Sequence, residues 1–442
     1  MLDAPQLQSC TPVYSKVSSW LLLLPLLFFF SNGSFSFTTR TTDAISAQNA
    51  HLTQTAEGIR PLVIVFYLFM LILFFVGHRV AWRGFLNNPL VVAPLMWCAL
   101  SATWSASPVL SFRAAIELGM STFFAVYLYE AFTTESLMDL WMFVGTIAAI
   151  TSLAFIVFLP QYGITQISGL GEWRGITSHK NALGVNMTYL LTPVLFARVR
   201  PWFRGVYSCL LIFLAVMSKS REAWFVCIAT LSFFVWMYLY RRFREKERLV
   251  LVAGSAIVLI AIVSVALMNF DSLMIGIGKD PTMTGRTDIY AATFDSLKKR
   301  PLLGYGFEAF WIPQNGESMV VALTIHWMAI GYAENGILET ALQVGCIGIF
   351  LAFLMFGKGA RQGIRLIRSG LYNPRVGWFL MLLFLELITN IEAGAVLTPS
   401  NLPWMMTIIA CVGLADEARS VRAPQQVYLP NATALEPMPA RW

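Results

Sequence analysis

The chain has 442 residues, of which 57% are apolar and only 12% charged, and its formal net charge is +7. A soluble domain carries about 25% charged residues, so this deficit excludes an ordinary globular enzyme. The apolar runs are continuous rather than alternating, which excludes a β-barrel and gives an all-α, polytopic transmembrane helical bundle.

In chain order, about twelve spans are expected, at roughly 18–37, 61–77, 89–105, 114–132, 139–159, 181–198, 202–218, 221–240, 249–270, 335–357, 377–397 and 401–415. The apolar run from Trp20 to about Phe37 has no A-x-A site and reads as a first span rather than a cleaved signal. Arginines and lysines gather in alternate loops: Arg79 and Arg83, Arg198 to Arg204, Arg241 to Arg248, and Lys358 to Arg375. The positive-inside rule then puts both termini in the cytoplasm and the long 271–334 loop outside, which in a bacterium is the periplasm. The positive charge therefore serves topology, and no nucleic-acid partner is indicated. The cysteines lack C-x-x-C spacing, so neither a disulfide framework nor a zinc site follows.

The organisation is thus 1–270, about nine transmembrane helices; 271–334, a periplasmic loop; 335–415, about three further spans; and 416–442, a disordered cytoplasmic tail rich in Pro, Ala and Gln. The long loop is the polar interval of an apolar chain. Within it, Thr284 to Lys299 has a helical signature, with Thr284 as a cap and Tyr290, Phe294 and Leu297 on one face. An amphipathic helix on the outer membrane surface or over the bundle is expected. Arg286 lies in its first turn, where the helix dipole disfavours a cation unless an anion joins it, so Arg286 is a candidate phosphate seat. A solvated surface arginine is an equal alternative. The turn Gly304-Tyr305-Gly306 presents an aromatic ring compatible with sugar stacking, although packing explains such a turn at least as well.

Three further outer turns hold polar clusters at span ends. Residues 171–184 place Arg174, His179, Lys180 and Asn181 just before a span. The turn Ser218-Lys219-Ser220-Arg221-Glu222 joins two spans, and its cations oppose the topogenic preference, which favours a function for Lys219 or Arg221. Ala333-Glu334-Asn335-Gly336 opens the tenth span, with Glu339 one turn further on. Carboxylates within spans cost about 2.5–3.5 kcal/mol on insertion scales. For Glu117, Glu130 and Glu386, pairing with an arginine of a neighbouring span is the expected reason; Glu392 stands near the outer end of its span.

Taken together, these pieces resemble the O-antigen ligase / polysaccharide polymerase family. They are His179-Lys180-Asn181 before Leu183-Gly184; Ser220-Arg221; Gly285-Arg286-Thr287 with the downstream Pro301 to Gly306 run; Glu334 to Glu339 followed by Gly345-Cys346-Ile347-Gly348; and Asn390 with Glu392. The resemblance covers roughly the C-terminal 60% of the chain. It implies transfer of glycan from an undecaprenyl-pyrophosphate carrier at the periplasmic face of the inner membrane, with no metal and no cofactor. Chain-length regulator and export proteins are the partners it implies, beside membrane lipid. One departure stands out: the family commonly has His-Asn where this chain has Glu334-Asn335. That turns the expectation from the lipid A-core ligase toward the exopolysaccharide repeat-unit polymerase, of the xanthan type. A flippase for the same lipid-linked oligosaccharide is the rival of another class. Glu334 is then the first candidate for the base that activates the attacking hydroxyl and His326 the second. Arg286 and Arg221, assisted by Lys219 and Lys180, would neutralise the pyrophosphate. His179, Asn181, Arg174, Tyr305, Asn335 and Glu392 complete the expected substrate-binding set.

Overall fold

The computed structural model describes residues 25–27, 29–31, 60–165, 171–268, 286–312, 316–326, 330–392 and 394–421. Most of the expected first span, the loop residues 271–285 with Thr284, and the tail from 422 lie outside them. The helices are α1 (Arg60–Asn87), α2 (Pro89–Ser101), α3 (Pro108–Ala131), α4 (Thr134–Phe158), α5 (Pro160–Gly163), α6 (Lys180–Phe196), α7 (Pro201–Met217), α8 (Arg221–Arg242) and α9 (Glu245–Met268). They continue as α10 (Arg286–Lys299), α11 (Glu317–Thr324), α12 (Gly336–Arg368), α13 (Pro374–Glu392) and α14 (Leu402–Ser420). One small hairpin, β1 (Ile164–Thr165) antiparallel to β2 (Glu172–Trp173), precedes α6. Prolines open α2, α3 and α7 at positions whose N–H would have no intrahelical partner.

Among the described residues, six helices are long and apolar enough to cross a membrane: Leu68–Asn87, Pro108–Ala131, Thr134–Phe158, Arg221–Arg242, Gly336–Arg368 and Pro374–Ile391. The chain is an all-α polytopic membrane protein. The expected tail from 416 begins inside α14, which runs on to Ser420. Arg419 anchors that last turn, donating to the Asn87 carbonyl at 2.7 Å and pairing with Asp416 at 3.2 Å.

At the centre stands α6, buried on every side from Leu183 to Val194 and packed against α4, α7, α8 and α13. A helix that is buried all round can approach its neighbours closely only through small residues. At Gly184 an added Cβ would lie 2.2 Å from the Ala223 Cβ and 2.8 Å from the Ser218 Oγ, so glycine seats the α7–α8 turn on α6.

Within α12 the helix is broken. Gly345 has φ +68° and ψ −178°, which interrupts the i→i−4 ladder. The freed backbone groups find partners in the Pro301 to Gly306 segment. Tyr305 N donates to Leu342 O at 2.8 Å and Gly306 N to Gln343 O at 2.9 Å. Cys346 N donates to Pro301 O at 2.8 Å and Ile347 N to Leu302 O at 3.4 Å. The Trp97 indole covers Val344 O at 2.9 Å. Non-helical backbone at membrane depth survives only when protein satisfies it in this way. Because the 301–306 segment also bonds to the α2–α3 connection (Ala106 N to Tyr305 O, 3.1 Å; Trp104 Nε1 to Leu303 O, 3.0 Å), the loop is fixed to both halves of the chain.

Chain direction alternates, so the start of α6, the α7–α8 turn, the start of α12 and the end of α13 share one end of the bundle. The opposite end collects basic residues of the expected inner loops. There Arg375 pairs with Glu135 at 2.6 Å, and Arg241 stacks 3.9 Å from the Tyr372 ring.

Candidate active site at the loop-bearing end

The long loop builds its own small core from Ile289, Ala292, Tyr305, Phe310, Trp311, Val321, Ala322, Ile330 and Ala333, joined by Leu342 of α12. This corrects the expected face of α10. Its buried stripe is Ile289, Ala292, Thr293 and Ser296, whereas Phe294 is exposed and Tyr290 and Leu297 are half-buried. The buried face lies one step from the expected apolar stripe because Thr293 and Ser296 return their hydroxyls to Ile289 O and Ala292 O and so can be buried. Such hydroxyls bury without loose donors.

Glu339 is the polar centre of this unit. It is 3% exposed. Its carboxylate accepts the Trp311 indole N–H on both oxygens at 3.0 and 2.8 Å, the Gln343 amide at 2.8 Å and the Ala333 backbone N–H at 2.9 Å. Gln343 in turn accepts the Glu308 backbone N–H at 3.3 Å. Glu308 is half-buried with φ +56°, and burial first, then the Glu339 and Glu117 carboxylates, push its carboxyl up to about 8.

Glu334 follows Ala333 directly. It is half-buried and takes φ +54°, a left-handed conformation that costs a non-glycine residue free energy and persists only when its surroundings impose it. Tyr290 of α10 donates to the Glu334 carbonyl at 3.0 Å. Asn335 caps α12 by accepting from Ile337 N at 3.1 Å and Leu338 N at 3.0 Å, and its amide donates to Ile391 O at 3.1 Å. The neighbouring Tyr332 hydroxyl bonds to the Gly394 backbone beyond α13. Its phenol lies well above the usual range through burial and then the Glu339 carboxylate.

The other expected site residues divide by surroundings. Lys219 and Arg221 are exposed on the α7–α8 turn, with Lys219 at φ +51° and Ser220 capping α8 through Ala223 N at 3.2 Å. His179 is the exposed cap of α6: its ring nitrogen accepts from Asn181 N at 3.3 Å, which gives both residues a structural task. Lys180 pairs with the buried Glu172 at 2.5 Å. Arg174 is 3% exposed and donates to Tyr162 O at 2.7 Å, so it serves the fold beneath the surface rather than presenting a cation upon it. Tyr305 is likewise buried: its hydroxyl donates to Ser296 O at 2.7 Å and its ring meets Phe310 edge-on, so the face expected to meet a sugar is already occupied. His326 is exposed, with φ +52°, at the end of α11. Arg286 opens α10 as expected, but its side chain, like that of Glu392, lies outside the described residues.

The span carboxylates also resolve. Glu130 has Arg419 and Arg83 of other helices as neighbouring charges but forms no salt bridge with either, so the expected pairing is not seen. Glu117 pairs instead within its own helix, with Arg113 at 3.0 Å. Glu386 is held instead by neutral donors: Tyr189 of α6, Thr407 of α14 and Asn390 of its own helix, at 3.1, 3.0 and 2.9 Å. Such donors satisfy a buried carboxyl without bringing a second charge into the bundle. Sequence reasoning missed Glu308, Trp311 and Tyr332. The aromatic-rich run from Phe307 to Trp311 was the available signal.

Residues 206–353 match the O-antigen ligase family. That stretch includes Lys219, Arg221, Arg286, His326, Glu334 and Glu339. The exopolysaccharide production protein ExoQ of Rhizobium meliloti (strain 1021) is 23% identical over 300 residues, covering 65% of this chain and 68% of that protein.

Proposed function

From a chain that belongs to the O-antigen ligase / Wzy-type family, we infer an enzyme that polymerises undecaprenyl-pyrophosphate-linked oligosaccharide repeat units at the periplasmic face of the inner membrane. An O-antigen ligase or polymerase type of function in polysaccharide biosynthesis is the supported part of this reading. The donor, the polymerisation and the membrane side are the inference, together with about twelve spans and cytoplasmic termini. The carrying observation is the Glu334 turn at the loop-bearing end, held in a left-handed conformation between the Tyr290 bond to its carbonyl and the Asn335 bond to Ile391 O.

In this account the acceptor hydroxyl attacks the anomeric carbon of the donor sugar. The hydroxyl proton passes to Glu334, the bond from the anomeric carbon to the phosphate oxygen breaks, and its electron pair leaves on the lipid pyrophosphate. Charge on that leaving group is where fixed cations act most strongly. Arg221 and Lys219 on the exposed turn and Arg286 at the start of α10 are assigned that role. A single displacement of this kind inverts the anomeric centre. The similarity to an exopolysaccharide production protein favours a polymerase over transfer to lipid A-core.

The test is purified protein supplied with lipid-pyrophosphate-linked repeat unit, its products sized on a gel. A ladder supports the polymerase. One addition to an unrelated lipid makes it a ligase, and passage of the lipid across liposomes without reaction makes it a flippase.

A further inference from the structure

We propose that Glu339 is the positioning residue of the Glu334 turn, acting through the Ala333 amide. This rests on the functional reading above, which makes Glu334 the base. Glu339 lies one helical turn inside α12 and is walled off from solvent, so it is not itself assigned a contact with substrate. Its carboxylate accepts from donors in three places: Trp311 in the loop, Ala333 in the turn and Gln343 in α12.

The arrangement asks for two acceptor oxygens at once. Oε1 takes Trp311 and Gln343, and Oε2 takes Trp311 and Ala333. A glutamine of the same volume has one oxygen and one NH2 group, so it would set a donor against a donor on one side. Stability alone gives little reason to bury a carboxyl here, since apolar packing commonly serves as well. What the carboxylate supplies is a fixed point on the residue before Glu334, with Tyr290 fixing the Glu334 carbonyl from the other side. Those two bonds bracket the strained φ of +54°. Removing one lets the peptide relax toward ordinary backbone and swings the Glu334 side chain away, while the α12 cap on Asn335 stays intact.

The experiment uses the full-length protein in detergent with lipid-pyrophosphate-linked repeat unit, comparing wild type, Glu339→Gln, Glu334→Gln and the double variant. Glu339→Gln is expected to lower kcat about tenfold, equivalent to about 1.4 kcal/mol of transition-state stabilisation, with KM for the lipid donor unchanged. The double variant should be no slower than Glu334→Gln alone, because the effect passes through Glu334. A wild-type kcat in Glu339→Gln overturns the proposal. So does a double variant slowed by the full extra factor, which is what a merely structural role gives. Trp311→Phe keeps the ring and removes the indole donor. It should show the same pattern at smaller amplitude, which keeps the proposal open to refutation if Glu339→Gln fails to accumulate. Amide hydrogen exchange separates this claim from the functional one. Should wild type transfer no glycan, the functional reading fails, and faster exchange at Ala333 in Glu339→Gln or Trp311→Phe still supports the positioning role, whereas unchanged exchange in both refutes it.

Discussion

Gly345 and Leu302 touch backbone to backbone: a Cβ built on Gly345 would lie 2.0 Å from the Leu302 carbonyl oxygen. No rotamer change relieves such a contact, because both partners are main chain. At φ +68° and ψ −178° the residue also occupies a region open essentially to glycine alone. Gly345→Ala is therefore expected to expel the 301–306 segment from the helix break, at a cost above the 1–3 kcal/mol or so of the backbone strain itself. A lowered unfolding temperature in detergent and lost polymer formation are the expected readings.

Asn335 offers a milder perturbation. Its side chain satisfies two first-turn amides of α12, Ile337 N and Leu338 N, and reaches across to Ile391 O. Asn335→Ala should destabilise by about 1 kcal/mol, the usual scale of a lost cap. Asn335→Asp keeps the cap but loses the amide donor to Ile391, so thermal unfolding should place it between wild type and alanine.

Glu308 predicts a pH dependence of stability. Its folded-state pKa is raised from 4.5 to about 8, so the folded protein holds a proton that the unfolded chain has already released. Stability from this group is present below about pH 4.5 and declines as pH rises toward 8. Glu308→Gln, which mimics the protonated carboxyl, should flatten that decline and gain on wild type at pH 8 and above. Unfolding temperatures across pH 5 to 9 check it; identical slopes for the two proteins would contradict it.

The proposed orientation can be read chemically. With α7–α8 at the outer face and the basic end of α12 in the cytoplasm, Lys219→Cys should react with an impermeant maleimide added to intact inner-membrane-exposed cells. Arg361→Cys should react only after permeabilisation. The reverse pattern would turn the molecule over.

Much of the fold was legible in the sequence because lipid simplifies the rules. Long apolar runs have to become helices, and apart from the short α5 and α11, which were not expected, each helix from α1 onward begins or ends near the expected position. The one-turn spacing of Glu386 and Asn390 follows from helical geometry alone, whereas the cap that Asn335 gives α12 emerges only in the structure. The break at Gly345 was not legible. Two segments forty residues apart exchange backbone hydrogen bonds there, and side-chain pattern carries no trace of that. Arg174, expected in an outer polar turn, is instead buried, and Tyr305 packs rather than offering its ring to a sugar; their donors are satisfied by the Tyr162 and Ser296 carbonyls, partners that periodicity does not reveal. Positive φ at Lys219, His326 and Glu334 was equally invisible, yet it falls on three residues that chemistry had singled out.

The most direct test of the central claim is transfer by Glu334→Gln and Arg286→Ala, each assayed against wild type with lipid-pyrophosphate-linked repeat unit in purified form. The account predicts that both variants reside in the membrane in normal amount and that neither builds polymer on the gel, Glu334→Gln keeping only a slow residual transfer rate. Normal-length polysaccharide from either variant would contradict it.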